Sequence, residues 1–186
     1  MTKKKAQNLY QFKITLNHAK PSIWRRIQVP ETFSFLDLHD AIQAAMGWED
    51  CHLHCFEVPN PKTSQIDFIG SEMADLDLEF SPGSKNCISS YFSLLNTKAT
   101  YEYDFGDGWE HKILLEKILP IEPGVKYPRC IAGKRACPPE DCGGVWGYEN
   151  LLKMMNIPDN EVDEEQKEYL EYMIDDDFDP QVVKFY

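Results

Sequence analysis

His52 and His54 lie two residues apart in a segment, 51–58, whose alternation predicts a strand. Both imidazoles would then leave one face about 6 to 7 Å apart at the backbone, near enough to grip a single divalent metal ion. The alternative for the pair is a polar groove beside the core, in which both rings make ordinary hydrogen bonds. Further ligands for an ion are His111, Asp104, Asp107 and Glu57. Asp107 also has a simpler explanation, because an Asp between Gly106 and Gly108 suits a tight turn.

Glu140 and Asp141 precede Cys142, Gly143 and Gly144. The glycine pair can adopt positive φ and bring backbone amides close to a ligand. Asp104, Asp107, Glu140 and Asp141 are candidate general acids and bases, provided that they converge. Trp48, Trp109 and Trp146, each beside a glycine or a charged residue, are candidates for a ligand-binding wall together with Trp24, Arg26, Arg135 and Tyr148. Cys130, Cys137 and Cys142 are spaced more widely than the paired knuckles of structural zinc, and they read as thiols packing a proline-rich loop. Cys51 and Cys55, about 13 Å apart along a strand, read as core thiols. The glycine-rich phosphate loops, the nucleophile elbow and the His-Glu-x-x-His helix are absent from the sequence.

The elements that must position these residues are legible in part. Residues 9–16 and 23–29 alternate apolar with polar and predict a hairpin of two strands. Ser34 and Asp37 form the signature of a helix start, and Phe35, Leu38, Ile42, Ala45 and Met46 recur at helical spacing until Gly47. A short strand is expected at 66–69 and a short helix from Ser89 or Ser90 to Leu95. Residues 99–105 and 109–118 predict a second hairpin. A three-residue loop would pair Phe105 with Trp109 and Tyr103 with His111, which sorts apolar from charged residues. A two-residue loop would mix them. Residues 127–146 read as irregular, residues 148–155 as a short helix, and 157–186 as an acidic helix docked by one apolar stripe. The fold class expected is α+β: one domain over 1–186, a mostly antiparallel or mixed sheet with helices packed against it.

Composition limits the function. The net charge is −12, and residues 157–186 alone hold 11 acidic and 2 basic side chains. Such a field repels phosphate backbones, so direct nucleic-acid binding is disfavoured. No stretch approaches the roughly 18 apolar residues of a membrane span, and the basic start lacks an apolar signal core, so a cytoplasmic protein is expected.

The segments 101–111 (YEYDFGDGWEH), 135–144 (RACPPEDCGG) with Gly147-Tyr148, and 177–180 (DFDP) resemble the plasmid pRiA open-reading-frame-three-like family. Residues 23–26 (IWRR), Gly47-Trp48 and 52–54 (HLH) fit the same family. The resemblance spans nearly the whole chain. It implies a single α+β domain and, through relatives associated with mobile elements, an accessory role in plasmid or transposon DNA transactions. The residues themselves support two other readings. One is a module that binds a small molecule, peptide or protein in a His/Asp/Glu/Trp groove. The other is a hydrolase in which a divalent metal activates water.

Overall fold

The computed structural model of the chain describes residues 6–71, 80–155, 157 and 178–185. It is a single α+β domain, in which the described residues form an eight-stranded mixed sheet with two α-helices packed against it. The strands are β1 (Asn8–Leu16), β2 (Trp24–Pro30), β3 (His54–Pro59), β4 (Ile66–Gly70), β5 (Phe80–Ser81), β6 (Lys98–Tyr103), β7 (Trp109–Pro120) and β8 (Arg129–Lys134). In space they run β5-β4-β3-β6-β7-β1-β2-β8, with every neighbouring pair antiparallel except β4 and β5.

Helix α1 (Phe35–Met46) begins at a reciprocal cap. The Asp37 N–H donates to Ser34 Oγ at 3.1 Å, and the Ser34 N–H donates to the Asp37 carboxylate at 2.7 Å. It ends at Gly47, whose φ of 93° is the left-handed stop that glycine allows. Its apolar stripe of Phe35, Leu38, Ile42 and Ala45 is buried with Phe12, Ile14, Ile27 and Val29 of the sheet in one core.

The opposite side of the sheet carries polar residues in a continuous chain of hydrogen bonds. Arg129 Nε donates to Gln28 Oε1 at 2.8 Å, Gln28 Nε2 to Gln11 Oε1 at 2.9 Å, and Gln11 Nε2 to Glu116 at 3.0 Å. Glu116 accepts both Arg26 Nε and Nη2, at 2.6 and 2.8 Å. A bulge in β7 supplies Glu116, because Phe12 pairs with Leu115 and Gln11 with Lys117.

The β6–β7 hairpin closes differently from either loop expected. Tyr103 pairs with Trp109 and Tyr101 with His111, which leaves residues 104–108 as the connection. Asp104 leaves the strand with a left-handed φ of 53°. Its side chain accepts the Gly106 N–H at 2.9 Å and its carbonyl accepts the Gly108 N–H at 2.6 Å, which builds a longer turn. A two-residue shift preserves side-chain parity. Tyr101, Tyr103, Trp109, His111 and Ile113 are therefore still buried together, with Glu110 and Lys112 exposed.

Four other expectations are corrected. The third strand starts at His54 rather than residue 51. The stretch 127–146 contains β8, and α2 (Gly144–Met155) starts four residues before Tyr148. The helix expected before Leu95 is only a 3-10 turn at Ile88–Ser90. The acidic helix expected within 157–186 falls mainly on residues outside those described. Of that segment, Phe178 packs its ring 3.6 Å from Arg25 Cζ. Among the described residues, no helix is long and apolar enough to cross a membrane.

Candidate functional site

The loop before α2 folds over the tip of the β6–β7 hairpin. The Asp107 carboxylate accepts the Gly143 N–H at 3.1 Å. Tyr103 Oη donates to Glu140 Oε1 at 2.5 Å, and Glu140 Oε2 accepts the Glu49 N–H at 2.9 Å. Trp48 Nε1 donates to the Pro138 carbonyl at 3.0 Å. Burial and the Glu140 bond push the Tyr103 phenol well up, which keeps it a donor. Gly144, at φ 65°, lies so near Asp107 that a Cβ there would sit 2.2 Å from the Asp107 carbonyl oxygen.

This closure brings His52, Asp104 and Asp141 together. His52 Nε2 lies 3.3 Å from Asp141 Oδ1 and 3.7 Å from Asp104 Oδ2, without hydrogen-bond geometry to either. One donor atom from each of the three lies within 4.8 Å of the others. Asp104 and Asp141 both hold left-handed backbone, with φ of 53° and 55°. Asp tolerates that conformation better than most residues, yet it remains a constraint that only the surrounding contacts enforce.

Beside the triad opens a cavity of about 840 Å³ between the C-terminal end of α1, residues 136–141 and the 178–184 segment. Trp48, Glu49, His52, Glu140 and Asp141 line it, and so does Arg25.

The remaining sequence candidates go elsewhere. His54 does not join His52, since the strand that would align them begins only at His54. Its ring stacks on His39 at 3.5 Å between centroids, and burial lowers its pKa to about 4. His111 and Trp109 are completely buried beneath Trp48. Glu57 is exposed on β3. Trp24 and Arg26 lie on the polar side of the sheet, where Arg26 stacks 5.1 Å from the Trp24 ring and pairs with Glu116. Tyr148 is buried in the core, Trp146 is exposed, and Arg135 holds a left-handed φ of 66° just before the cavity-lining stretch. All six cysteines are free thiols, and burial raises the Cys55 thiol to about 12.

Two features were not singled out from the sequence. His39, on the buried stripe of α1, accepts Tyr101 Oη at Nδ1 (2.8 Å) and donates from Nε2 to Asp50 Oδ1 (2.7 Å). Gln43 Nε2 donates to the same phenol at 2.9 Å, and burial holds that phenol protonated. The signal was an ionisable residue at a core position of the helical period. Arg25 gives the same signal in strand period, because it alternates with Ile23 and Ile27.

The model of the plasmid pRiA4b ORF-3-like protein family matches residues 8–185. An uncharacterized protein of Sinorhizobium fredii, y4hQ, is 33% identical over 181 residues, covering 96% of this chain and 87% of that protein. The crystal structure of a protein of unknown function, MM3350 from Methanosarcina mazei Go1, is 49% identical. The match covers 97% of this chain and 100% of that one, with a TM-score of 0.89.

Proposed function

The chain belongs to the plasmid pRiA4b ORF-3-like family, and from that premise we propose that it is a binding domain whose ligand is a small molecule held in the cleft beside His52, Trp48 and Asp141. The observation that carries this reading is the open cleft of about 840 Å³, within the range of roughly 300 to 1,000 Å³ usual for small-molecule sites. Three side-chain bonds, from Trp48, Tyr103 and Asp107, fix its loop wall before any ligand arrives. Trp48 offers an apolar surface, and His52, Glu49 and Asp141 offer polar contacts that orient a ligand. A bulky side chain at Ala136, which lines the cavity, tests the proposal. In a thermal-shift panel of amino acids, dicarboxylates, nucleotides and divalent cations, at least one compound is expected to stabilise the wild type. A ligand at 100 times its Kd adds about 2.7 kcal/mol. A136W is expected to abolish that gain while keeping the far-UV circular dichroism. A panel with no compound that distinguishes the two proteins would sink the reading.

The triad favours a second reading, a metal-assisted hydrolase. One imidazole and two carboxylates suit manganese, magnesium or zinc, and a metal there would supply an activated water at the cavity mouth. Calorimetric titration of manganese and zinc into chelator-treated protein is expected to show one site, weakened at least tenfold in D104N. Absence of uptake by the wild type removes this alternative.

A further inference from the structure

Arg25 is fully buried on the side of β2 that faces α1. Its Nε donates to the Ala45 carbonyl at 2.7 Å, and its Nη1 donates to the carbonyls of Trp24 at 3.0 Å and Lys134 at 3.3 Å. Nη2 has no acceptor among the described residues. Carbonyl dipoles and the Phe178 ring, 3.6 Å from Cζ, soften the charge without balancing it. The ionisable groups that bear on Arg25 are the thiols of Cys137 and Cys130, and burial raises both, so they stay neutral. A guanidinium stays protonated even when burial lowers its pKa, so this is a buried cation with no carboxylate paired to it among the described residues. Such a charge is costly to fold around unless something completes it. A purely structural clamp between the end of α1 and the sheet would need only the carbonyl bonds, and it would not require a charged residue whose fork is left one-third unused at a cavity.

We infer that Arg25 is the seat of an oxyanion, a carboxylate or a phosphate, carried by the ligand of the adjoining cleft. The inference rests on the cleft reading and adds the chemical class of the ligand. Nε and Nη1 are spent on carbonyls, so the contact open to an oxygen of either group is a charge-assisted bond from Nη2 alone. The carboxylates of Glu49, Glu140 and Asp141 line the same cavity. They repel a polyanion, and they match a molecule whose remaining polar groups are cationic or donate hydrogen bonds.

The test is calorimetric and thermal-shift titration of the wild-type chain with phosphoethanolamine and, separately, β-alanine, each one oxyanion joined to one ammonium group, against sodium chloride at matched ionic strength. At least one oxyanion is expected to bind and to raise the Tm where chloride does not, and the stronger of the two identifies the source of the anion. R25K retains a positive charge but not the Nη2 donor, and it is expected to weaken binding at least tenfold. A136W retains Arg25 and its carbonyl bonds, and it is expected to block binding. Circular dichroism of both variants confirms that they fold, and the wild-type titration does not depend on them. Absence of oxyanion binding by the wild type, or equal binding by R25K, overturns the inference. If instead an uncharged or purely cationic compound of the panel binds in an A136W-sensitive manner while neither oxyanion does, the cleft stands and its anionic ligand does not.

Discussion

Acidification from pH 6.5 to 4.5 is expected to cost the fold about 2 kcal/mol through His111 alone, because the unfolded ring is half protonated at pH 6.5 and the slope approaches about 1.4 kcal/mol per pH unit only below it. His111 is completely buried, with Trp48 edge-on at 5.3 Å and Tyr101 at 5.4 Å between ring centroids. Burial lowers its pKa to about 4, and the nearby Arg25 charge pushes the same way. The carbonyls of Tyr101 and Trp109 favour the charged form, but neither ring nitrogen meets a partner at hydrogen-bonding geometry. The folded imidazole is therefore neutral, whereas the unfolded one binds a proton below about pH 6.5. Stability is complete above that value, declines as pH falls, and stops declining once the folded ring itself titrates near 4. His39 and His54 are lowered by burial in the same direction and steepen the slope. Urea unfolding at pH 7, 5.5 and 4.5 measures the effect, with H111F as a ring-sized replacement that cannot titrate. The slope is expected to be shallower in H111F by one proton. Equal slopes in the two proteins would mean that His111 is charged or solvated in the native state.

Gly147→Ala is expected to detach the loop from the hairpin, at a cost on the order of 3 kcal/mol or more. A Cβ at Gly147 would lie 1.7 Å from the Cys142 carbonyl oxygen and 2.7 Å from its carbon. These are backbone atoms, so no rotamer change relieves the clash, and the turn at 142–147 must open. With it go the Asp107–Gly143 bond and the approach of Asp141 to His52. The sheet is built from other residues and should keep its far-UV signature. The sensitive probe is the Trp48 indole N–H resonance, which reports the bond to Pro138. Gly124→Ala serves as the control: its φ is 80° and an added Cβ there meets nothing within 4 Å, so only about 1 kcal/mol of backbone strain is expected. Equal effects of the two substitutions would show that close packing of the loop is not what holds the site together.

The comparison of sequence with structure follows the range of the interactions. Helix α1 was legible because its cap, stripe and left-handed stop are all local to residues 34–47. β1 and β2 were legible because they alternate cleanly. The face assignment of the second hairpin was legible and its register was not. Two registers that differ by two residues have the same parity, and the choice between them was made by the turn that Asp104 builds. β8 escaped because it lies among prolines and glycines, with partly exposed residues throughout and its partner about a hundred residues upstream. Of the site, the sequence offered Asp104, Asp107, Glu140 and Asp141 only on the condition that they converge, and local patterns carry no term for the meeting of a hairpin tip with a loop 36 residues away. The pairing of His52 with His54 was not realised, because it assumed a strand from residue 51 and β3 starts three residues later. Arg25 and His39 were visible as ionisable residues in apolar periods. Their weight emerged only when their partners, carbonyls in one case and Tyr101 with Asp50 in the other, came from distant segments.

The chain of bonds from Arg129 to Arg26 spans four adjacent strands, β8, β2, β1 and β7, on a surface that no backbone ladder distinguishes from its shifted alternatives. A one-residue slip of β1 would turn Gln11 toward the apolar layer and leave Gln28 and Glu116 without their link. The polar chain thus adds its own penalty to the exposure of Tyr10, Phe12, Ile14 and Leu16 that the same slip would cause. The same alignment places Arg25 opposite Ile14 and Ile14 opposite Ile113, so the buried guanidinium stands two strands away from the β7 arm of the hairpin.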